Sequence, residues 1–376
     1  MVQIPQVDLK AFYKKHKDEI FDILSQVLDS GWYILGDRVE SFEKEFATFC
    51  GTNYAVGVAN GTDAIELALR AVGVVSGDLI ATVSHTAVAT ASAIERLGAV
   101  PVYIDINPDR YTMCPQSLQV TLEAAVRGQY GNRRIRGIVP VHLYGQCADM
   151  DAIIPIAEKY NLPIIEDCSQ AHGATVQGVM AGSMGIAGTF SFYPTKNLGS
   201  FGDAGVVVTS NSIINDQLRL IRQYGWTHKR ESYVIGVNSR LDEIHAAILS
   251  LRLKYLESEN KARRLISDIY IRNLSSLPVV LPLSAEGCDH VYHLFVIRVK
   301  DRGLFAQHMK DHGVNTAVHY PLPIHMQKAY TNRALLSPQG LPFTEKVCEE
   351  IISLPMFPSL SKDNVYRVCE AVSSFF

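Results

Sequence analysis

The stretch YAVGVANGTDAIELALRAVGVVSGDLIATVSHTAVATASAIERLGAVPVYID (54–105) decides the fold. Its apolar runs at 54–59, 79–83 and 100–105 are short and rich in valine and isoleucine, as strands are. Between them, DAIELALRAV (63–72) and VATASAIERL (88–97) read as helices. The alternation continues through a helix SLQVTLEAAV (117–126), a strand IRGIVPVHLY (135–144) and a helix over Met150–Tyr160. Strands LPIIED (162–167), TFSFY (189–193) and AGVVVTS (204–210) close the series. Strands that are apolar throughout are buried on both faces. The pattern therefore predicts an α/β fold of three layers, a mostly parallel sheet between helices. Ligands bind such sheets where strands end in loops at the carboxyl edge.

After about residue 240 the rhythm changes. LDEIHAAILSLRLKYLESENKARRLISDIYIRNL (241–274) reads as one long connecting helix, followed by a strand HVYHLFVIRV (290–299) and a helix LFAQHMKDHG (304–313). We expect a large domain over 1–255, whose N-terminal segment packs on the smaller one, and a small α/β domain over 256–376.

Composition excludes several classes of function. With 47% apolar and 19% charged residues in 376, the chain is too apolar for a disordered one. A formal charge of −3 creates no field that would recruit nucleic acid or an anionic membrane surface. The N-terminus lacks a signal-peptide core, and no run approaches a membrane span. Seven scattered cysteines with no C-x-x-C pair argue against a zinc site and fit a reducing compartment, so the expected location is the cytoplasm. His290 and His293 lie three apart in a predicted strand, on opposite faces, and no metal site is expected there. Neither G-x-x-x-x-G-K-[ST] nor a G-x-G-x-x-G after a strand is present.

Two segments carry chemistry. In IEDCSQAH (165–172), Asp167 ends an apolar strand, where a side chain faces the ligand crevice, although aspartate is also a favoured helix cap. In TFSFYPTKNLG (189–199), an aromatic strand stops at Pro194, and Lys196 follows in a packed, glycine-bearing loop. Such a setting desolvates an amine and lowers its pKa, as a Schiff-base lysine requires. Pyridoxal phosphate needs that lysine, a carboxylate to keep its ring nitrogen protonated, and a phosphate cradle. Asn60-Gly61-Thr62, where the first strand turns into the first helix, offers backbone N–H groups for the cradle, and Ser191 adds a hydroxyl. Asp63 is an unfavourable neighbour for a phosphate unless its side chain turns away to cap the helix.

Together with SGWYILGDRVESFEKEFA (30–47), NGTDAIELAL (60–69), EDCSQAHGA (166–174) and FSFYPTKNLGSFGDAG (190–205), the chain carries GVNSRLDEIHAAIL (236–249), VYHLFVIRV (291–299), VHYPLPIH (318–325) and LPMFP (354–358). In these blocks it resembles the DegT/DnrJ/StrS sugar aminotransferases of the aspartate-aminotransferase-like fold type I. The resemblance implies a pyridoxal-phosphate enzyme that moves an amino group, with glutamate as donor, onto a nucleotide-linked keto-sugar. It implies that Lys196 bonds the cofactor and shuttles a proton, that Asp167 pairs with the ring nitrogen and that Gln170 approaches the ring hydroxyl. Gly61, Thr62 and Ser191 would bind the phosphate, Asn238 would reach the phosphate of a neighbouring subunit in a homodimer, and His319 and Tyr320 would touch the sugar nucleotide. Relatives commonly stack an aromatic on the cofactor where this chain has Ala87. His85, on the same side of an extended segment, is expected to replace it. Dehydratase relatives carry histidine in place of the lysine. A cyclic-ketone aminotransferase and a non-catalytic regulatory protein are further alternatives on this scaffold.

Overall fold

The computed structural model describes residues 3–227 and 229–376. Its strands β1 (Tyr54–Val58), β2 (Leu79–Val83), β3 (Val100–Ile104), β4 (Ile135–Val139), β5 (Ile165–Asp167), β6 (Ala187–Ser191) and β7 (Gly205–Thr209) follow the sequence pattern closely. They form two four-stranded runs, β1-β7-β6-β5 and β9-β3-β2-β4, where β9 is Leu335–Leu336. Parallel bridges Ile138–Ile164 and Val141–Asp167 join the runs through β4 and β5.

Only β7 runs against its neighbours, pairing antiparallel with both β1 and β6. A parallel return needs a crossover, usually a helix. Residues 192–204 contain none, so the chain doubles back and leaves the Lys196 loop at the strand ends. Both faces of the sheet are covered. Val207 packs with Ile65, Leu67 and Leu218 of the helices Gly61–Ala71 and Ser212–Ile221. Val206 and Val208 face Phe42, Phe46 and Leu249, from the helices Asp37–Cys50 and Glu243–Leu253.

A separate core surrounds the antiparallel pair β8 (Phe295–Arg298) and β10 (Ile351–Leu354). It joins Phe295 and Ile297 to Tyr270, Phe305 and Val368, and it includes Ile4, which bridges to Val314. We propose the domain division at residue 255, with the N-terminal segment lying on the smaller core. The later chain is not confined to that core. Its β9 extends the large sheet beside β3, and Asp105 at the end of β3 accepts hydrogen bonds from the N–H groups of Phe343 and Thr344.

Three elements differ from the sequence reading. The long helix is two, Glu243–Leu253 and Leu256–Leu274. Tyr255 at the break packs on His16, with ring centroids 4.2 Å apart, and no proline or glycine marks the position. The strand expected over 290–299 begins only at Phe295, because Tyr292 has φ +42° and cannot continue an extended chain. The strand expected over 135–144 ends at Val139, before Pro140, and the chain beyond it turns at Tyr144 (φ +61°) and Gly145 (φ +112°).

Candidate active site

A cavity of about 360 Å³ opens at the carboxyl ends of β1, β5 and β6. Lys196, Asp167, Gln170, Ser191, Gly61, Thr62, His319 and Tyr320 line it, so eight of the ten site residues predicted from sequence meet in one place. His85 and Asn238 do not.

The lysine is held by its loop. The Lys196 N–H donates to the Tyr193 carbonyl (2.8 Å) and the Ser200 N–H to that of Phe192 (2.7 Å), so the chain turns tightly around the side chain. Neighbouring Asn197 donates to Asn260 Oδ1 (2.8 Å) and the Val291 carbonyl (3.1 Å), and its Oδ1 lies 3.1 Å from His293 Nδ1. Burial pulls the Lys196 amine down to about 8, against the Asp167 carboxylate, which acts to raise it. At pH 7.5 about a quarter of such an amine is neutral, against roughly one part in a thousand for an ordinary lysine. Capture of pyridoxal phosphate by the apoprotein, followed as growth of visible absorption between pH 6 and 10, should therefore accelerate as pH rises and level off just above 8. A rate still climbing at pH 10 would contradict a depressed Lys196.

Asp167 is 4% exposed and is fixed from two sides. Its Oδ2 accepts from Thr90 Oγ1 (2.9 Å) and its Oδ1 from the Ser169 N–H (3.2 Å). Thr90, one turn into the helix after Ala87, had no signal beyond its place in the sequence. Beneath Asp167, the buried Glu166 accepts backbone N–H groups from Gly182, Met184 and Gly185. It also pairs with His142 Nε2 at 2.9 Å. His142 Nδ1 accepts from the Ala148 N–H, so Nε2 is the protonated nitrogen. His142, Glu166 and Cys168 lie close enough to suggest a metal site, but these hydrogen bonds already engage the imidazole and both carboxylate oxygens. The cluster braces the loop under the site.

The helix Gly61–Ala71 begins at the cavity wall. Its cap is Asn60, whose Oδ1 accepts from the Asp63 N–H (2.8 Å), while the Asn60 carbonyl takes the Ala64 N–H. Those of Gly61 and Thr62 remain for a ligand at the positive end of the helix. A Cβ at Gly61 would come within 2.5 Å of Ser191 Cβ, so only glycine brings the helix end this close to β6. Asp63 does turn away, but not to cap: its carboxylate pairs with Arg96 (2.8 Å) and accepts from Ser239 Oγ (2.6 Å). The negative charge is neutralised behind the cradle.

On the opposite wall, Gln170 Nε2 donates to the Tyr320 hydroxyl (3.1 Å), and His319 Nδ1 lies 2.9 Å from Ser353 Oγ. Burial and the Lys196 charge push His319 down to about 4. Burial, aided by the Asp167 charge, pushes Tyr320 up to about 12. Both are neutral at pH 7. His293 also lines the cavity, in a segment the sequence reading assigned to a strand.

The expectation for His85 is corrected. The segment bends at 84–86 instead of extending, so His85 and Ala87 do not share a face. Ala87 lines the cavity, whereas the fully buried His85 ring is engaged by Tyr144 and Cys348. Asn238 is exposed, outside the cavity of its own chain.

A neutralisable lysine, a buried carboxylate and a helix N-terminus around one cavity fit pyridoxal phosphate: the amine for its aldehyde, the acid for its ring nitrogen, the N–H groups and Ser191 for its phosphate. Fold and site together define a pyridoxal-phosphate-dependent aminotransferase. The chain belongs to the DegT/DnrJ/EryC1/StrS aminotransferase family, whose model matches residues 14–373. It is 41% identical to the dTDP-3-amino-3,6-dideoxy-alpha-D-galactopyranose transaminase of Aneurinibacillus thermoaerophilus, over 99% of both chains. It is 38% identical to the UDP-N-acetyl-3-dehydro-alpha-D-glucosamine 3-aminotransferase of Acidithiobacillus ferrooxidans, over 98% of this chain and 97% of that one. Among solved structures, S. venezuelae DesV in complex with a ketimine intermediate superposes with a TM-score of 0.94 at 40% identity, over 100% of this chain and 99% of DesV.

Proposed function

We propose that this enzyme transfers an amino group from glutamate to carbon 3 of a nucleotide-linked keto-sugar. The observation that carries the reading is the meeting of Lys196, Asp167 and the Gly61–Thr62 helix end in one cavity. The choice of carbon 3 rests on the relatives, since both transaminases named above act at that carbon.

Pyridoxal phosphate, when bound, supplies the electron sink that stabilises a carbanion at the amine-bearing carbon. The chain's own residues do the rest. Asp167, held by Thr90 and Ser169, keeps a negative charge against the ring nitrogen and so keeps that nitrogen protonated. Gly61, Thr62 and Ser191 anchor the phosphate. Gln170, its amide fixed by the Tyr144 N–H (2.9 Å), presents Nε2 towards the ring hydroxyl. Lys196, once released, takes a proton from the donor carbon and later returns one to the sugar carbon, as a base and then an acid whose pKa lies near neutrality. Neutral His319 and Tyr320 offer hydrogen bonds to sugar oxygens without repelling the lysine.

The reading includes a homodimer in which Asn238 reaches the partner's phosphate site. Asn238 is exposed, close to the solvent-facing Tyr233 (81%) and Ile235 (89%), and a partner surface would cover that apolar stretch. No helix among the described residues is long and apolar enough to cross a membrane. A cytoplasmic location is part of the proposal, supported by the free state of the seven cysteines.

The substrate assignment is tested by incubating the enzyme with glutamate and, separately, 3-keto and 4-keto forms of dTDP- and UDP-linked hexoses. Mass spectrometry should find the amino-sugar from a 3-keto substrate. Amination of the 4-keto forms alone would overturn the assignment to carbon 3.

A further inference from the structure

Beyond the ligand-facing residues, one side chain behind the cavity gathers three parts of its wall. Tyr144 stands in the left-handed region at φ +61°, an uncommon conformation for a side chain of this size. Each of its polar groups is engaged. Its N–H donates to Gln170 Oε1 (2.9 Å), and its carbonyl accepts from the Leu294 N–H (3.2 Å). Its hydroxyl lies 2.7 Å from His85 Nε2 and donates to the His319 carbonyl. His85 Nδ1 in turn lies 3.2 Å from Cys348 Sγ. A carbonyl can only accept, so Tyr144 gives its proton to His319, and His85 Nε2–H donates to Tyr144. Nδ1 is then left to accept from the Cys348 thiol. The neutral ring this requires agrees with burial, which pulls His85 down to about 3. The following residue completes the junction. Gly145 has φ +112°, and a Cβ there would come within 2.7 Å of the backbone nitrogens of Tyr292 and His293.

We propose that Tyr144, held in place by His85, is a positioning residue that fixes the His319–Tyr320 wall for the keto-sugar separately from the Lys196–Asp167 wall that holds the cofactor. The proposal rests on the aminotransferase reading above for what the two walls do. The hydroxyl separates them. Of the two walls it touches the His319 one, whereas the Tyr144 N–H orients Gln170, whose Nε2 supports the Tyr320 hydroxyl and, in the proposed function, also faces the cofactor. With Gln170 as its donor, Tyr320 retains its own proton for an oxygen of the incoming sugar. His85, two residues before the cavity-lining Ala87, thus serves the acceptor side of the site from behind the wall.

Tyr144→Phe removes the hydroxyl but keeps the backbone bonds to Gln170 and Leu294. It leaves the buried His85 N–H and the His319 carbonyl without this partner, so KM for the keto-sugar should rise about tenfold. The rate of the amino-donor half-reaction should stay within about twofold. Independently of activity, hydrogen exchange of the holoenzyme should accelerate in peptides covering 317–325 and remain unchanged over 165–172. His85→Leu should reproduce this pattern, whereas His85→Gln, which keeps an N–H for the Tyr144 oxygen, should restore most of the wild-type KM. This pair decides the matter if Tyr144→Phe fails to fold. Equal losses in both half-reactions, or exchange that rises equally in both segments, would reduce Tyr144 to a general stabilising role and overturn the proposal. Unchanged KM and exchange would overturn it as well. If the wild-type enzyme aminated no keto-sugar, the functional reading would fall, while the exchange comparison would still decide whether Tyr144 holds this wall.

Discussion

Lys196→Ala is expected to lower turnover by about 10⁴-fold, the upper range for loss of a positioned acid–base group. The variant should also lack the visible absorption of lysine-bound cofactor. The size of the effect follows from two losses at one position. The half-buried amine, depressed to about 8, is in the proposed mechanism both the group that captures the cofactor and the base that moves the proton. Among the described residues no other lysine lines the cavity, so no neighbour there can replace it. Folding should be nearly unaffected, because Asn197, Arg252 and the backbone hold the loop without the amine. Steady-state kinetics and a thermal melt together check this. A folded variant retaining a tenth of wild-type turnover would remove Lys196 from the mechanism. The same variant tests the dimer. Mixed with Asn238→Ala subunits that are themselves impaired, it should recover activity if the proposed dimer shares its sites, since one of the two sites in each heterodimer is then intact.

Asp167→Asn is expected to cost about 10²–10³-fold in turnover, on the order of 3–4 kcal/mol in the barrier. The change is nearly isosteric. The amide oxygen still accepts from the Ser169 N–H, and the Thr90 hydroxyl can turn to accept from the new NH₂ group. What disappears is the charge proposed to keep the cofactor's ring nitrogen protonated, so the loss should fall on kcat far more than on cofactor affinity. Thr90→Val provides the contrast. It removes one hydrogen bond to a charged group and keeps the charge, so about tenfold is expected. Pre-steady-state measurement of the amino-donor half-reaction separates these outcomes. Equal effects of the two variants would mean that Asp167 acts by packing and not by charge.

The sheet was legible because most of its strands lie in largely apolar runs ending in polar turns, and a strand buried on both faces has little alternative pattern. The antiparallel β7 was not marked by composition. It follows from the absence of a helix in 192–204, a segment too short and too rich in turn residues for a crossover. Lys196 and Asp167 were legible because each follows a strand end, where backbone direction alone places a side chain at the crevice. Thr90, His293 and Tyr144 were not, since each acts through a partner distant in sequence: Asp167, Asn197 and His319. His85 was misread because alternation of side chains was assumed for a segment that bends. Asp63 was read correctly as a difficulty, but its solution depends on Arg96 and Ser239, which only the folded chain brings together.

The central claim is that Lys196 holds pyridoxal phosphate and passes an amino group through it. A visible absorption spectrum of the purified holoenzyme, recorded before and after addition of glutamate, tests that claim most directly. A band from the lysine-bound cofactor is expected, giving way on addition of glutamate to the shorter-wavelength absorption of the aminated cofactor. Absence of any such band after incubation with pyridoxal phosphate would contradict the claim.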